Sequence, residues 1–253
     1  MLETYLKQRL NEKKILLMTH IVIGYPTFED AFRIVEAMVN AGVDLMELQI
    51  PFSEPIADGP IILHANQKAL AGGATVQKCM DFGRKVVEAF NIPFLYMSYY
   101  NILFKFGMDR FAGAMQDSGI AGAIVPDLPP EEGREYLDAM EKYGLSPIFI
   151  FSPTTPAKRM TYLNSFGKGF IYCVARKGVT GVATEFSEQL NEYLMRCRKA
   201  TDLPLALGFG VKGKEDVDFL KGKADIAVIG SETIRLVDAA GAAAAGEFIK
   251  SLR

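Results

Sequence analysis

The sequence has few of the residues from which metal centres and disulfide frameworks are built. Its two histidines, His20 and His64, are too few for a metal centre made of imidazoles. Its three cysteines, Cys79, Cys173 and Cys197, are an odd number at wide spacings and form no CxxC pair. That pattern argues against a disulfide framework and is typical of proteins from a reducing cytosol. We therefore expect no metal site and a cytoplasmic location.

The sequence also lacks a strong net charge and a long hydrophobic run. The formal net charge is −2, which provides no general attraction to nucleic acid or to an anionic membrane. No apolar run approaches the ~18 residues of a membrane span. The N-terminal stretch MLETYLKQRLNEKK is charged and has no apolar signal core. We expect a soluble protein whose partners include neither nucleic acid nor a membrane.

Short apolar segments that alternate with amphipathic segments make up most of the sequence. Eight runs have the composition of strands: 16–23, 44–50, 93–99, 121–126, 146–152, 169–175, 203–208 and 225–230. Helical patterns cover 28–41, 74–90, 109–119, 131–144, 156–166, 186–200, 214–220 and 232–251, the last including the Ala/Gly stretch 239–246. Such alternation indicates parallel strands joined by right-handed crossovers. It predicts an α/β fold, a single (β/α)8 TIM-barrel domain over residues 1–253 with a short N-terminal helix; counting alone leaves a doubly wound open sheet as the alternative.

The second predicted strand carries a carboxylate on the face that should line the barrel. Strand alternation puts Glu47 on one face and an all-apolar set on the other, namely Met46, Leu48 and Ile50. The apolar face belongs against the helices, so we expect Glu47 to point into the barrel. A carboxylate is costly there unless it is paired or used. Glu47 is therefore a candidate for acid–base catalysis, with a structural salt bridge inside the barrel as the alternative.

The loop after this strand contains a second candidate carboxylate. It reads PFSEPIADGP over 51–60, and its three prolines limit backbone freedom and hold the shape of the loop. Within it, Asp58 is either a functional carboxylate or a turn or helix N-cap residue. Ser53 and Glu54 are expected at the surface or at a partner contact.

The segment that follows the sixth predicted strand has the composition of a lid or a phosphate loop. It reads ARKGVTG over 175–181, with a threonine between two glycines. Arg176 and Lys177 either pair with a phosphate or are solvated. Tyr172, which precedes this loop, lies in the inward phase of its strand and serves either packing or function.

Glycines also follow the seventh and eighth predicted strands, where (β/α)8 barrels commonly bind phosphate. The chain reads Gly208-Phe209-Gly210 after the seventh strand and Gly230-Ser231 after the eighth. Glycines let backbone N–H groups approach an anion, and Ser231 adds a hydroxyl. Either motif alone is also compatible with a helix cap. The two together favour a phosphate site.

The residues that are missing from the predicted strands restrict the chemistry further. No lysine lies in the inward phase of a strand, so a Schiff-base aldolase lacks its nucleophile. Two histidines without an acidic cluster do not suit a metal-dependent aldolase. Two placed carboxylates with a phosphate site indicate acid–base chemistry on a small phosphorylated substrate.

Several motifs resemble one known family. PFSEPIADGP at 51–60 is similar to the signature PFSDPxADGP of the tryptophan synthase alpha family. Five more stretches match that family in the same order: YYNILFKFG (99–107), IVPDLPPEE (124–132), GVTG (178–181), LGFGV (207–211) and IGS (229–231). The resemblance covers nearly the whole chain, from about Thr19 to Leu236.

The resemblance implies a carbon–carbon lyase of L-tryptophan biosynthesis. Such enzymes split indole-3-glycerol phosphate into indole and glyceraldehyde 3-phosphate by a retro-aldol reaction. It implies that Glu47 transfers protons, that Asp58 binds the indole N–H, and that Tyr172 lies near the reacting glycerol carbons. It also places Thr180 in a mobile loop that closes over the site. The implied phosphate-binding positions are Gly181, Gly210, Gly230 and Ser231.

The resemblance also implies a partner. The family usually works with a pyridoxal-phosphate-dependent β subunit in an αββα heterotetramer, docked on the loop at 51–60 and on Tyr99–Phe104. This chain has no pyridoxal lysine motif, so we expect no cofactor in it and pyridoxal phosphate in the β subunit. Three alternatives remain: a standalone indole-releasing lyase, a non-catalytic subunit that only activates β, and another phosphate-handling barrel such as a sugar-phosphate isomerase.

The sequence departs from the family pattern at a few positions. Gln49 replaces a glycine, Glu54 replaces the aspartate of PFSDP, and His20 stands where an aromatic residue commonly lines the indole pocket. Tyr25 and Ile102 differ as well. None of these is a predicted catalytic or phosphate-binding position, so we expect a competent enzyme.

Overall fold

The computed structural model describes residues 2–174, 183–208 and 210–253, with the backbone alone for residues 183–187. Its parallel strands close into a barrel in the order in which they occur along the chain. The eight strands are β1 (Leu16–Val22), β2 (Leu45–Gln49), β3 (Phe94–Met97), β4 (Gly122–Ile124), β5 (Ser146–Phe151), β6 (Ile171–Val174), β7 (Leu205–Gly208) and β8 (Ile226–Ile229). All eight predicted strands are confirmed, and closure of the barrel excludes the open sheet.

Twelve helices surround or close the barrel in the described part of the chain. They are α1 (Leu2–Glu12), α2 (Phe28–Asn40), α3 (Pro60–Ala71), α4 (Val76–Ala89), α5 (Tyr100–Phe106), α6 (Met108–Asp117), α7 (Arg134–Lys142), α8 (Ala157–Asn164), α9 (Ala183–Ala200), α10 (Lys214–Leu220), α11 (Ser231–Ala240) and α12 (Ala242–Ser251). Two of these helices, α3 and α5, were not predicted from the sequence. The prediction of one helix over 232–251 is wrong, because Gly241, at φ 80°, separates α11 from α12.

Alternation along the strands produces two apolar layers, one inside the barrel and one beneath the helices. Leu45 belongs to the inner layer, with Leu16, Met18, Leu95 and Ile148. The outer layer includes the apolar face of β2, Met46, Leu48 and Ile50. Glu47 alternates with that outer face, so its predicted inward orientation is confirmed, and only 4% of the residue is exposed.

The amino ends of the strands are closed by α1, whose apolar side chains join the inner layer. Asp44 lies just before β2, and its side chain is fully buried. It accepts hydrogen bonds from Leu17 N at 2.9 Å, Lys13 Nζ at 2.5 Å and an Arg253 guanidinium nitrogen at 2.5 Å. Burial alone would raise the pKa of Asp44, but these donors lower it below its usual value. This carboxylate therefore ties both termini to the lower rim of the barrel.

The described helices include none that is long and apolar enough to cross a membrane. Within the described residues, no cluster of three or more histidine, cysteine, aspartate or glutamate side chains is placed to hold a metal ion. The three cysteines are buried free thiols.

Candidate active site

A cavity of about 210 Å³ opens at the carboxyl ends of the strands. Its lining includes six of the eight predicted site residues, namely Glu47, Asp58, Tyr172, Gly210, Gly230 and Ser231. The other two, Thr180 and Gly181, lie outside the described residues, together with Arg176 and Lys177. The fold thus brings together side chains that are up to 184 positions apart (Glu47 to Ser231, 231 − 47).

Glu47 on β2 has one hydrogen-bonding neighbour on the adjacent strand β1 and another across the barrel on β6. His20 on β1 is its direct register partner, and His20 Nδ1 lies 2.9 Å from Glu47 Oε1. The Tyr172 hydroxyl on β6 donates to the same oxygen at 3.5 Å from across the barrel. Both contacts use Oε1, which leaves Oε2 of Glu47 for a ligand in the cavity. No lysine or arginine pairs with Glu47 among the described residues, and its one possible cationic partner there is His20. A salt bridge inside the barrel and a catalytic role for Glu47 both remain compatible with this geometry.

The Glu47 carboxylate affects the pKa values of both neighbours, His20 and Tyr172. Burial would lower the pKa of His20, but its hydrogen bond to Glu47 and the charges of Glu47 and Asp58 raise it above the ordinary value. Burial, with the charge of Glu47, raises the pKa of the Tyr172 hydroxyl well above its usual range. Tyr172 therefore remains a hydrogen-bond donor at any physiological pH.

The second carboxylate, Asp58, is held by two amides. Gln49 Nε2 donates to Asp58 Oδ2 at 2.6 Å, and Asn66 Nδ2 lies 3.5 Å from the same oxygen. Burial raises the pKa of Asp58, and the hydrogen bond from Gln49 opposes that effect. Asp58 does not cap the following helix, because Gly59 holds the N-cap of α3. The sequence analysis did not predict Asn66 as a site residue, since α3 itself was not predicted.

The loop that carries Asp58 is anchored at several points. Asn66 Oδ1 accepts from Phe52 N at 2.9 Å, and the ring of Phe52 stacks on Tyr99 with centroids 5.1 Å apart. The Tyr99 hydroxyl accepts from Ala57 N at 3.2 Å, one residue before Asp58. These contacts fix the backbone that positions the carboxylate. The expected exposure of Ser53 and Glu54 is confirmed.

The opposite side of the cavity offers backbone donors. Gly230 is the N-cap of α11 and Ser231 is its first residue, so the free N–H groups of a ten-residue helix point toward the cavity. Gly210 has φ 77°, a conformation that L-residues with side chains rarely adopt. A Cβ at Gly208 would come within 3.0 Å of the Tyr172 ring and push it from its position. This end of the cavity suits an anion.

The walls between these polar ends are apolar. They are formed by Ile62, Met97, Ile124, Pro126, Ile150 and Val228. The cavity thus combines an apolar slot, two carboxylates and a helix N-terminus. It fits a ligand with an aromatic part and an anionic tail, on which Glu47 can move protons.

Comparison with known proteins identifies the family. The sequence model described as "Tryptophan synthase alpha chain" matches residues 6–251. A tryptophan synthase alpha chain of Syntrophotalea carbinolica is 62% identical over 253 residues, with 100% of both chains covered. One from Desulforapulum autotrophicum is 63% identical over 252 residues, again with 100% of both chains covered.

Solved structures agree with the sequence relatives. A crystal structure of tryptophan synthase from M. tuberculosis in its aminoacrylate-bound form superposes with a TM-score of 0.90 at 26% identity, covering 99% of this chain and 97% of that one. The tryptophan synthase subunit alpha of Legionella pneumophila superposes with a TM-score of 0.91 at 29% identity, covering 99% and 96%. The barrel, its cavity and the full-length sequence match agree, and the chain belongs to the tryptophan synthase alpha chain family.

Proposed function

We propose that this chain is a carbon–carbon lyase that cleaves indole-3-glycerol phosphate into indole and glyceraldehyde 3-phosphate. The observation that carries the proposal is the cavity that holds Glu47 and Asp58 between apolar walls and a helix N-terminus. The indole ring fits the apolar slot, and the phosphate fits the backbone donors at Gly210, Gly230 and Ser231. Retro-aldol cleavage is the reaction of the family.

Glu47 is the proton-transfer residue of this proposal. Cleavage needs a proton on C3 of the indole ring and removal of the proton from the glycerol 3′-hydroxyl. One carboxyl group of suitable pKa performs both transfers in sequence. The Glu47 carboxyl carries the proton, and its Oε1 is held by His20 and Tyr172. Tyr172 lies beside the reacting glycerol carbons.

Asp58 stabilises the charge that the first proton transfer creates. When C3 is protonated, a positive charge develops at the indole nitrogen, and a carboxylate beside that nitrogen lowers the barrier. The short hydrogen bond from Gln49 holds Asp58 in place and favours its ionised form against burial, which raises its pKa. Thr180 belongs to the loop that closes over the site, and Gly181 adds to the phosphate site, as the family resemblance implies.

The chain works with a pyridoxal-phosphate-dependent β subunit in an α2β2 complex and carries no cofactor of its own. Two large apolar side chains at the predicted partner surface support this, with Ile56 79% exposed and Phe104 65% exposed. The biosynthetic role and three buried free thiols support a cytoplasmic location. The closed barrel, with α1 joined to its inner apolar layer and α12 packed on α2 and α11, supports one domain over residues 1–253.

Indole release from indole-3-glycerol phosphate tests the proposal. The purified chain should release indole slowly, and an added β subunit should accelerate it strongly. Glu47→Gln should lower the rate by at least ~10²-fold, the usual contribution of general acid–base catalysis. Glu88→Gln, an exposed glutamate on α4 outside the barrel, is the matched control and should be unaffected.

The alternatives give different results in the same assay. Rapid release that β does not change identifies a standalone lyase. No release under any condition, from a folded chain that accelerates β, identifies a non-catalytic activator. Near-normal turnover by Glu47→Gln removes Glu47 from the mechanism.

A further inference from the structure

His20 is placed to share a proton with Glu47. The two residues are direct register partners on neighbouring parallel strands, and both side chains are buried, 3% and 4% exposed. His20 Nδ1 lies 2.9 Å from Glu47 Oε1, a distance at which one proton bridges the two atoms. His20 also lines the cavity. It therefore stands beside the proposed acid–base residue at the point where protons are moved.

The second nitrogen of the ring points to the charge state of His20. His20 Nε2 and Gln49 Oε1 are both buried, and neither has a hydrogen-bond partner among the described residues. Gln49 donates its nitrogen to Asp58, so its oxygen remains free to accept. A ring with N–H groups on both nitrogens has a donor for an acceptor on either side, whereas a neutral ring has only one donor.

The groups around His20 come from every side of the cavity. Glu47 and Gln49 face it from β2, Asp58 from the following loop, and Tyr172 through Glu47 from β6. On the β8 side the neighbour is Gly230, which has no side chain. Two carboxylates and no basic side chain surround the ring in the described part of the site, so burial is the single influence that opposes protonation.

We infer that His20 is a positioning residue that holds the proton which Glu47 delivers and recovers during cleavage. The inference rests on the proposed function. In the resting pair the proton is on His20 Nδ1 and Glu47 is ionised. The proton passes from Nδ1 to the Glu47 carboxyl, and Glu47 delivers one proton to C3 of the indole. Glu47 then takes the proton of the 3′-hydroxyl as the carbon–carbon bond breaks, and the pair regains the single proton with which it began.

The protonation state of His20 can be measured directly, because the chain has two histidines and their signals are easily separated. Nitrogen-15-labelled histidine gives two ring spectra, and His64, which is exposed, is the internal reference. His64→Gln assigns the signals. His20 should remain doubly protonated to a higher pH in the wild-type chain than in Glu47→Gln. A His20 ring whose protonation does not change with Glu47→Gln overturns the inference.

The pH dependence of indole release is the functional readout. His20→Phe keeps a planar ring of similar size without a proton, and His20→Asn keeps an N–H near Nδ1 that does not titrate. In both variants the rate of indole release should fall at a lower pH than in the wild type, so that the alkaline limb of the pH–rate profile moves at least about one pH unit toward acid. Binding of the substrate should change less than kcat.

The controls separate this inference from the proposed function. Wild-type enzyme that fails to release indole at any pH sinks the proposed function. If the wild-type enzyme releases indole but the alkaline limb is unshifted in both His20 variants, the proposed function stands and the role of His20 is refuted. Restoration of the wild-type limb by His20→Asn also overturns proton sharing, because a fixed hydrogen bond is then sufficient.

Discussion

Gln49 provides a sharp test of how the site is organised. It is fully buried at the carboxyl end of β2 and holds Asp58 by a 2.6 Å hydrogen bond. Gln49→Met has nearly the same length and volume but removes the amide. We expect this variant to fold and to cleave indole-3-glycerol phosphate slowly.

The size of the effect follows from the lost hydrogen bond. A hydrogen bond to a charged group contributes about 1.5–3 kcal/mol. Asn66, at 3.5 Å, does not replace it. If Asp58 stabilises charge in the transition state, kcat/KM should fall by about 10–100-fold, since ~1.4 kcal/mol corresponds to a factor of ten. The pKa of Asp58, which burial raises and Gln49 opposes, should rise further. The loss should therefore be larger at acidic pH than at pH 8.

Initial rates of indole release over a range of pH, with thermal unfolding as the check on folding, measure this effect. Gln77→Met is the matched control, because Gln77 also donates to an aspartate, Asp81, at 3.1 Å, but on the exposed surface of α4. It should leave kcat/KM unchanged. A folded Gln49→Met enzyme with less than a threefold loss would refute the idea that this hydrogen bond positions Asp58.

Other predictions concern the stability of the barrel. In a urea titration at neutral pH, Asp44→Asn should lower the free energy of unfolding by ~3 kcal/mol, because three partly exposed cations lose their buried carboxylate partner. The control Asp138→Asn, in an exposed ion pair, should change that free energy by less than ~0.5 kcal/mol. Because the pKa of Asp44 is lowered, its contribution is present above the usual carboxyl pKa and is lost as pH falls through the lowered value, so the gap should close in acid. Gly122→Ala should cost at least about 1–3 kcal/mol, because its Cβ would overlap the carbonyl oxygen of Ser146, whereas Gly213→Ala meets open space and should be tolerated.

The sequence was sufficient to predict the strands and most of the helices of the fold. Buried parallel strands are short apolar runs, and eight of them are visible as such. The helix α3 was missed because its polar residues, including the buried Asn66, interrupt the apolar pattern. The seven-residue α5 is too short for a periodic signal. The break at Gly241 depends on one backbone conformation within an Ala-rich segment that favours continuous helix.

The site was predictable as a set of residues but not as a network. Alternation predicted the inward orientation of Glu47, and the family resemblance supplied the roles of the other residues. The partners of each carboxylate depend on contacts between strands and loops. Nothing in the sequence indicates that Gln49 reaches Asp58, since that contact exists only after the loop at 51–60 folds back over β2.

The polar groups at the two ends of the barrel differ in how completely they are hydrogen-bonded, which suggests why the two ends serve different purposes. Asp44, at the lower rim, is saturated with hydrogen bonds to the backbone and to both termini. At the upper end, His20 Nε2 and Gln49 Oε1 are buried and have no partner among the residues that the structure describes, a state that costs stability unless it is used. Satisfied polar groups hold the lower end together, whereas the upper end keeps donors and acceptors available for a proton and a substrate. Substitutions at Asp44 should therefore change unfolding and leave kcat alone, whereas substitutions at Gln49 should lower kcat/KM for cleavage.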